Sequence, residues 1–265
     1  MRTAIKVPVV MGGGGAAPAV ILTCTTTGAE TLTLQRLGAV TGKTIHVGWG
    51  DGTSNDYTDN PEATRTHAYA GAGAWKVTIS PPTSVVNLDL RDTKLSCGAG
   101  QIGQMTSLTS LILVTLAGVT IGAGEVGSLT SLTFLYLYNF AGVTVGAGEI
   151  GGLTNLTYLL LYNLAGANHN IGLSTLLKLT TAQIQLGLLQ AEVDTALSQL
   201  YAAFPSRTGV NGTVNLLGGG NAAPTGVSPG SAECPPSTGW NKAYELVNDS
   251  CGISLKHWAS VTCQT

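Results

Sequence analysis

The chain has 265 residues, with 12 Lys and Arg against 14 Asp and Glu and a formal net charge of −2. This balance argues against a nucleic-acid-binding protein, which needs a concentrated basic face. Charged residues make up only 10% of the chain, against about 25% in an ordinary soluble protein. Because weakly charged, hydroxyl-rich surfaces associate readily, the composition favours a part of an assembly or of an outer surface.

Residues 1–16 form a Gly-rich N-terminal arm. The arm contains Arg2 and Lys6 and then an apolar stretch, which Gly12–Gly15 interrupt before it reaches the length of a signal-peptide core. We therefore expect no signal peptide. No uninterrupted apolar run in the sequence is long enough for a membrane span. We expect the arm either to dock on a partner or to stay mobile.

Residues 17–82 carry the pattern of short β-strands. Runs rich in Val, Ile, Thr and aromatic residues are separated by Gly, Asp or Asn, and no helical period occurs among them. Several short strands without helices predict a β-sandwich. The predicted strands are Val20–Thr26, Glu30–Leu37, Lys43–Gly50, Arg65–Gly71 and Ala74–Ser80.

Three motifs in this segment resemble those of the PKD family. They are the W-G-D-G-T turn at Trp49–Thr53, the H-x-Y run at His67–Tyr69 and the G-x-W-x-V-x-I run at Gly73–Ile79. The resemblance implies an immunoglobulin-like β-sandwich and an extracellular type of module. The Asp-Gly pair in the turn is itself a strong hairpin signal, since Gly tolerates a positive φ.

Acidic residues crowd the same turn and are the weak candidates for a Ca²⁺ site. They are Asp51, Asp56 and Asp59, with Glu62 nearby. Oxygen-rich loops can bind Ca²⁺, but the same residues are typical of solvated hairpin turns, and no EF-hand spacing is present. We therefore favour the turn interpretation and predict no cofactor and no metal.

A repeat of 24 residues begins after the predicted sandwich. The segments Gly103–Leu108, Gly127–Leu132 and Gly151–Leu156 superpose with this spacing. A fixed period of this length is the signature of a solenoid, in which each coil buries its leucines against its neighbours. We assign residues 83–226 to the solenoid.

The repeat unit resembles a leucine-rich repeat. The pattern L-x-x-L-x-x-L-x-L-x-x-N is matched at its four leucines by Leu153, Leu156, Leu159 and Leu161, and Leu164 follows them. The polar ladder position holds Asn139 and Asn163 in two coils but Thr115 and Asp92 in the neighbouring ones, so the ladder is imperfect.

The outward side of the predicted solenoid sheet is unusually aromatic. When the leucines of each L-x-L strand point inward, the alternate residues point outward. Contiguous exposed aromatic surface marks an interface. Three interpretations stay open: the face contacts another protein or a second copy, stacks on sugar rings, or is covered by the sandwich or the arm. The predicted binding residues are Ile112, Val114, Phe134, Tyr136, Tyr138, Tyr158, Leu160 and Tyr162.

No residue pattern indicates catalysis. Glu125 and Glu149 occupy equivalent repeat positions and would stack one coil apart, at a separation typical of a retaining glycosidase pair. Both, however, belong to the same repeated G-A-G-E phrase, which favours a structural role. The four histidines are scattered, and no G-x-S-x-G elbow surrounds a serine. We therefore predict a protein that is not an enzyme.

The C-terminal part closes the solenoid. We predict a helix over Gln185–Phe204, a strand at Gly212–Leu216, and a cap over residues 227–265 with a helix at Trp240–Asn248 and a strand at His257–Cys263. Of five cysteines, three lie in the cap, where Cys234, Cys251 and Cys263 could supply one disulfide or remain buried thiols.

The combination of features resembles predicted proteins of bacteriophage virions. It comprises the two modules, the arm without a signal peptide and the Gly-rich phrase at Val214–Gly226. The resemblance implies a capsid decoration or a tail or fibre protein on the virion surface that contacts virion proteins, itself, or a host protein or glycan. The alternatives are a secreted or cell-surface bacterial adhesin and a carbohydrate-binding accessory protein.

Overall fold

The computed structural model describes residues 18–58, 63–116, 118–121, 124–141, 150–165, 172–203, 206, 213–216, 221–225, 238, 242–243 and 260–262. This part of the chain is β-rich, as predicted, and contains one α-helix, α1 (Gln190–Ala203). The strands are β1 (Val20–Thr26), β2 (Glu30–Ala39), β3 (Thr44–Gly48), β4 (Ser54–Thr58), β5 (Arg65–Tyr69), β6 (Gly73–Ser80), β7 (Val85–Leu90), β8 (Leu95–Cys97), β9 (Ser110–Val114), β10 (Gly118–Val119), β11 (Phe134–Ala141), β12 (Tyr158–Ala165), β13 (Thr181–Gln185), β14 (Thr213–Asn215) and β15 (Ser260–Thr262).

The strands form two sheets around one apolar core. A six-stranded sheet has the order β10-β8-β1-β6-β3-β4, and a nine-stranded sheet has the order β15-β14-β13-β12-β11-β9-β7-β2-β5. The first sheet contributes Leu22, Val47 and Ile79 to the core, and the second contributes Leu34 and Leu90; all five are fully buried. Along β1 the buried residues alternate with more exposed ones, which is the period that buries one face of a sheet.

Strand β7 has one antiparallel and one parallel neighbour. It is antiparallel to β2, with Leu37 opposite Leu88, and parallel to β9, with Leu88 opposite Leu111. From β9 onward the sheet is entirely parallel through β11, β12, β13, β14 and β15. The N-terminal strands and the coils therefore share one continuous sheet, and the residues that follow Pro82 begin no separate sheet.

The parallel strands stack as a β-solenoid whose interior is leucine. Each coil returns the chain to the same register, so that Leu111, Leu135 and Leu159 are neighbours across strands. Parallel strands need such a crossover connection, and the 24-residue repeat supplies it. The fully buried coil residues include Leu108, Leu113, Leu129, Leu132, Leu137, Leu153, Leu156 and Leu161.

A ladder of threonines ties the coils together at the start of each strand. The Oγ1 hydroxyl of Thr133 donates to the carbonyl of Thr109 at 3.0 Å, that of Thr157 to Thr133 at 2.9 Å, and that of Thr180 to Thr157 at 3.0 Å. Each hydroxyl adds a side-chain hydrogen bond beside the backbone ladder. The threonine at this position therefore has a structural role that the leucine pattern does not reveal.

A second ladder lies at the turn that follows each strand. Thr115, Asn139 and Asn163 have φ values of 53°, 57° and 46°, in the left-handed region. The Nδ2 amide of Asn163 donates to Oδ1 of Asn139 at 2.7 Å. Asn tolerates this conformation better than a β-branched residue does, so Thr115 is the strained member of the series.

The C-terminal helix begins later than the sequence predicts. Gln185 is the last residue of β13, where it pairs with Tyr162, and α1 begins only at Gln190. The apolar residues after Gln185 fit a helical period, but parallel pairing with β12 fixes that residue in the sheet. β14 and β15 lie within the predicted strands at Gly212–Leu216 and His257–Cys263. The arm at 1–16 and most of the cap, including Trp240–Asn248 apart from 242–243, lie outside the described residues.

Candidate binding face

The outward residues of β9, β11 and β12 lie side by side on the nine-stranded sheet. We call the row formed by β11 and β12 the tyrosine face: Phe134, Tyr136, Tyr138, Tyr158, Leu160 and Tyr162. Phe134 pairs with Tyr158, Tyr136 with Leu160, and Tyr138 with Tyr162. On the β9 side, Ile112 and Val114 are aligned with Tyr136 and Tyr138. The register therefore brings all eight predicted binding residues together.

The exposure of these residues is uneven. Tyr138 and Tyr158 are 40% and 45% exposed, which is unusual for large apolar side chains in this protein. Ile112, by contrast, is only 6% exposed, and Val114 is partly buried. The accessible part of the predicted surface thus lies on β11 and β12.

The aromatic rings form two groups along the strands. Phe134 and Tyr158 have ring centroids 5.8 Å apart. The ring centroid of Tyr162 lies 5.8 Å from that of Tyr136 and 5.9 Å from that of Tyr138. Tilted and edge-on contacts at these distances are favourable and hold the rings in place. The tyrosine face is therefore organised before any ligand arrives.

Polar groups border the rings. The hydroxyl of Tyr162 donates to Oε1 of Gln183, and burial raises the pKa of Tyr162, so that this hydroxyl stays protonated. Thr181 and Gln183 continue the rows of Tyr158 and Leu160 on β13. On the opposite side a groove of about 450 Å³ separates the face from β2; its lining is Arg36, Asn87, Thr109, Ser110, Ile112, Thr133 and Phe134.

Next to the groove lies an ion pair between a buried carboxylate and a guanidinium whose side chain is 46% exposed. Both carboxylate oxygens of Asp89 accept hydrogen bonds from Arg91, at 2.8 and 2.9 Å, and Asp89 is 3% exposed. This bidentate contact compensates the desolvation of the carboxylate. The charge of Asp89 is thus neutralised within the chain.

The acidic turn is held by histidines and hydroxyls. Asp51 accepts from the backbone and hydroxyl of Thr53 at 3.0 and 2.6 Å, and its second oxygen lies 2.7 Å from Nε2 of His67. These hydrogen bonds, that of the Thr53 hydroxyl first, lower the pKa of Asp51 to about 2. Asp56 lies 2.7 Å from Nδ1 of His46. Asp51 and Asp56 therefore contact different histidines.

No group of three metal-ligating side chains occurs among the described residues, and Asp59 and Glu62 lie outside them. The motif residues around Asp51 instead pack as a stack. Trp49 lies flat on His67 with centroids 4.8 Å apart, and Tyr69 lies flat on Trp75 at 4.9 Å. The Tyr69 hydroxyl donates to the carbonyl of Trp49 at 2.8 Å. In this arrangement the aromatic residues of the three motifs fill the space behind the turn.

Glu125 has a structural environment. It is buried, and its two carboxylate oxygens accept the N–H groups of Gly100 and Gly103, each at 3.0 Å. A Cβ atom on Gly103 would lie 2.8 Å from Cγ of Glu125, so the glycine that opens this repeat unit permits the close approach. Glu149 lies outside the described residues.

The thiols of Cys24 and Cys97 are free and buried. Burial raises the pKa of Cys24 to about 11 and that of Cys97 to about 12. A thiolate is the reactive form of cysteine, so neither thiol is suited to nucleophilic chemistry near neutral pH. The cap cysteines Cys234, Cys251 and Cys263 lie outside the described residues.

No protein-family model, curated protein or solved structure matches this chain. Within the described residues, no helix has both the length and the apolar character needed to cross a membrane.

Proposed function

We propose that this chain is a non-enzymatic surface component of a bacteriophage virion, a capsid decoration or a tail or fibre protein. In this proposal protein–protein contacts hold the chain on the particle, and the tyrosine face contacts a target. The observation that carries the proposal is the pair of exposed rings, Tyr138 and Tyr158, in a pre-organised aromatic row.

Two described carboxylates that could serve catalysis, Asp51 and Glu125, have structural partners, which favours a binding role. Asp51 is bonded to Thr53 and His67, and Glu125 bonds two backbone amides. Such bonds fix the orientation of a carboxylate and satisfy its acceptor capacity. The low charge and the hydroxyl-rich composition favour an assembly, because such surfaces associate readily.

The proposal also includes a specific fold type for each of the two parts of the chain. We infer a PKD-like β-sandwich for residues 17–82 and a leucine-rich repeat for residues 83–226. The stack of Trp49, His67, Tyr69 and Trp75 supports the first assignment. The leucine interior and the parallel register of the coils support the second.

The test is the fate of the chain during particle purification. Phage lysates that contain it would be separated on density gradients, and its copy number per particle would be measured by quantitative mass spectrometry. We expect a fixed copy number that matches the symmetry of the particle, with antibody labelling on the exterior. Recovery on uninfected cells with a processed N-terminus would instead identify an adhesin, and recovery only in the soluble fraction would contradict both assignments.

A further inference from the structure

We propose that the tyrosine face binds a neutral oligosaccharide that lies along strands β11 and β12. This inference rests on the proposed contact role of the face and names the ligand class. Three features of the face support it: its charge, its area and the spacing of its rings.

The tyrosine face and the two strands beside it, β9 and β13, carry no charged side chain at their outward positions. On β9, β11, β12 and β13 the register defines twelve outward positions, and none is occupied by Asp, Glu, Lys or Arg. The cations beside these positions are Arg36, which lines the groove next to Phe134, and Arg91, which is paired with Asp89. A phosphate, an acidic sugar or a charged peptide that lay over the rings themselves would lose hydration there without contacting a counter-charge. The positions that are not apolar or aromatic are Ser110, Thr181, Gln183 and Gln185, whose hydroxyls and amides both donate and accept hydrogen bonds. This is the complement of a polyhydroxylated, neutral ligand.

The uncharged patch formed by these twelve outward positions is small. Four strands spaced by about 4.8 Å and five residues at about 3.3 Å each give a patch of about 300 Å². A stable protein–protein interface buries about 800 Å² on each partner. The footprint of the uncharged patch is well below the surface that one partner buries in a stable protein interface, so a second copy or another protein would need contacts beyond it. A few sugar rings fit within the patch.

The rings offer two stacking positions. Tyr158 lies with Phe134 near the start of the strands, and Tyr162 lies with Tyr136 and Tyr138 near their end. Four residues separate Tyr158 from Tyr162, which corresponds to about 13 Å along an extended strand. A linear oligosaccharide can contact both groups at once, and a monosaccharide can contact only one. Linking two contacts in one ligand raises the affinity strongly.

The experiment uses the full chain and uncharged oligomers of glucose, mannose, galactose and N-acetylglucosamine, from monosaccharide to hexasaccharide. Binding would be screened on an array and measured by titration calorimetry. We expect at least one series to bind, with an affinity that rises with ligand length until both ring groups are spanned. Replacement Tyr158→Ala should weaken binding about tenfold, and Tyr138→Ala should do the same at the other end.

Two controls separate stacking from a general effect on the fold. Tyr158→Phe keeps the ring and should bind within about twofold of the parent, since the ring supplies most of the contact. Leu189→Ala removes an apolar side chain that is 68% exposed outside the face and should leave binding unchanged.

The proposal is overturned if no neutral oligosaccharide binds, or if Tyr158→Ala and Tyr138→Ala bind like the parent. A change of self-association in these variants without a change in sugar binding would identify a second copy as the occupant. None of these results depends on whether the chain is found in virions, so failure here and failure of the virion assignment are distinguishable.

Discussion

At the scale of single residues, the left-handed turn shows where this sequence is not optimal for its fold. The position is occupied by Asn in two coils and by Thr115 in a third, all with positive φ. A β-branched residue in this region carries strain of about 1–3 kcal/mol.

The variant Thr115→Asn should therefore stabilise the protein by about 1 kcal/mol, because it relieves strain and lets Asn139 donate one step further along the ladder. The measurement is the free energy of unfolding in denaturant. Thr120→Asn is the matched control, since Thr120 is exposed and does not have a positive φ. Equal effects of the two substitutions would contradict the strain argument.

At the scale of elements, Asn221 connects β13, the residue after β14 and the loop that leads into α1. Its Nδ2 group donates to the carbonyls of Ile184 and Leu216 at 2.6 and 2.9 Å, and its Oδ1 atom accepts from Leu186 and Leu188 at 3.2 and 2.9 Å. The side chain is 4% exposed, so all four hydrogen bonds form away from bulk solvent.

Replacement Asn221→Asp should destabilise the protein by about 3 kcal/mol, because both carbonyls lose their donor and a carboxylate is buried. Thermal and denaturant unfolding measure the effect. Asn155→Asp makes the same chemical change at a less buried site beside Lys178 and should cost less than about 1 kcal/mol. A similar cost at both positions would show that Asn221 does not act through its buried amide.

At the scale of the whole molecule, the continuous sheet predicts that the N-terminal strands and the coils unfold together. Leu88 on β7 is 1% exposed and pairs with Leu37 on one side and Leu111 on the other. Leu88→Ala should destabilise the protein by about 3 kcal/mol through the cavity it leaves.

Hydrogen exchange would be followed in peptides from β2 and from β12, where we expect protection to fall by the same factor. Leu189→Ala, at an exposed site, should change neither. A loss of protection confined to β2 would show two independently unfolding units and would contradict the coupling through β7.

The residues that the sequence predicts well are those with a strict period. The alternation of Leu159 and Leu161 with Tyr158 and Tyr162 specifies which side chains are inside, and the 24-residue repeat aligns them with the neighbouring strand. Where no period exists, prediction fails. Strand β4 is missed because nearly all of Ser54–Thr58 is polar and exposed, so that only its pairing with β3 reveals it.

The sequence predicts which residues belong to the candidate site but not how deeply each of them is buried. Alternation places Ile112 on the same side as Tyr138, yet Ile112 is buried and Tyr138 is exposed. Ile112 lies beside Asp89 on β7 and lines the groove with Arg36 and Asn87, all of which come from distant segments of the chain. Alternation along one strand contains no information about such neighbours.

The parallel stack also gives the molecule a mechanical direction. Its backbone and threonine hydrogen bonds point along the stacking axis, from Thr180 through Thr157 to Thr133. When the ends of the chain are pulled along that axis, the hydrogen bonds between neighbouring strands break one after another, and the coils separate sequentially. When the chain is pulled along the strands, all hydrogen bonds of a strand pair bear the load together in shear. The chain therefore resists drag best when its strands lie parallel to the force.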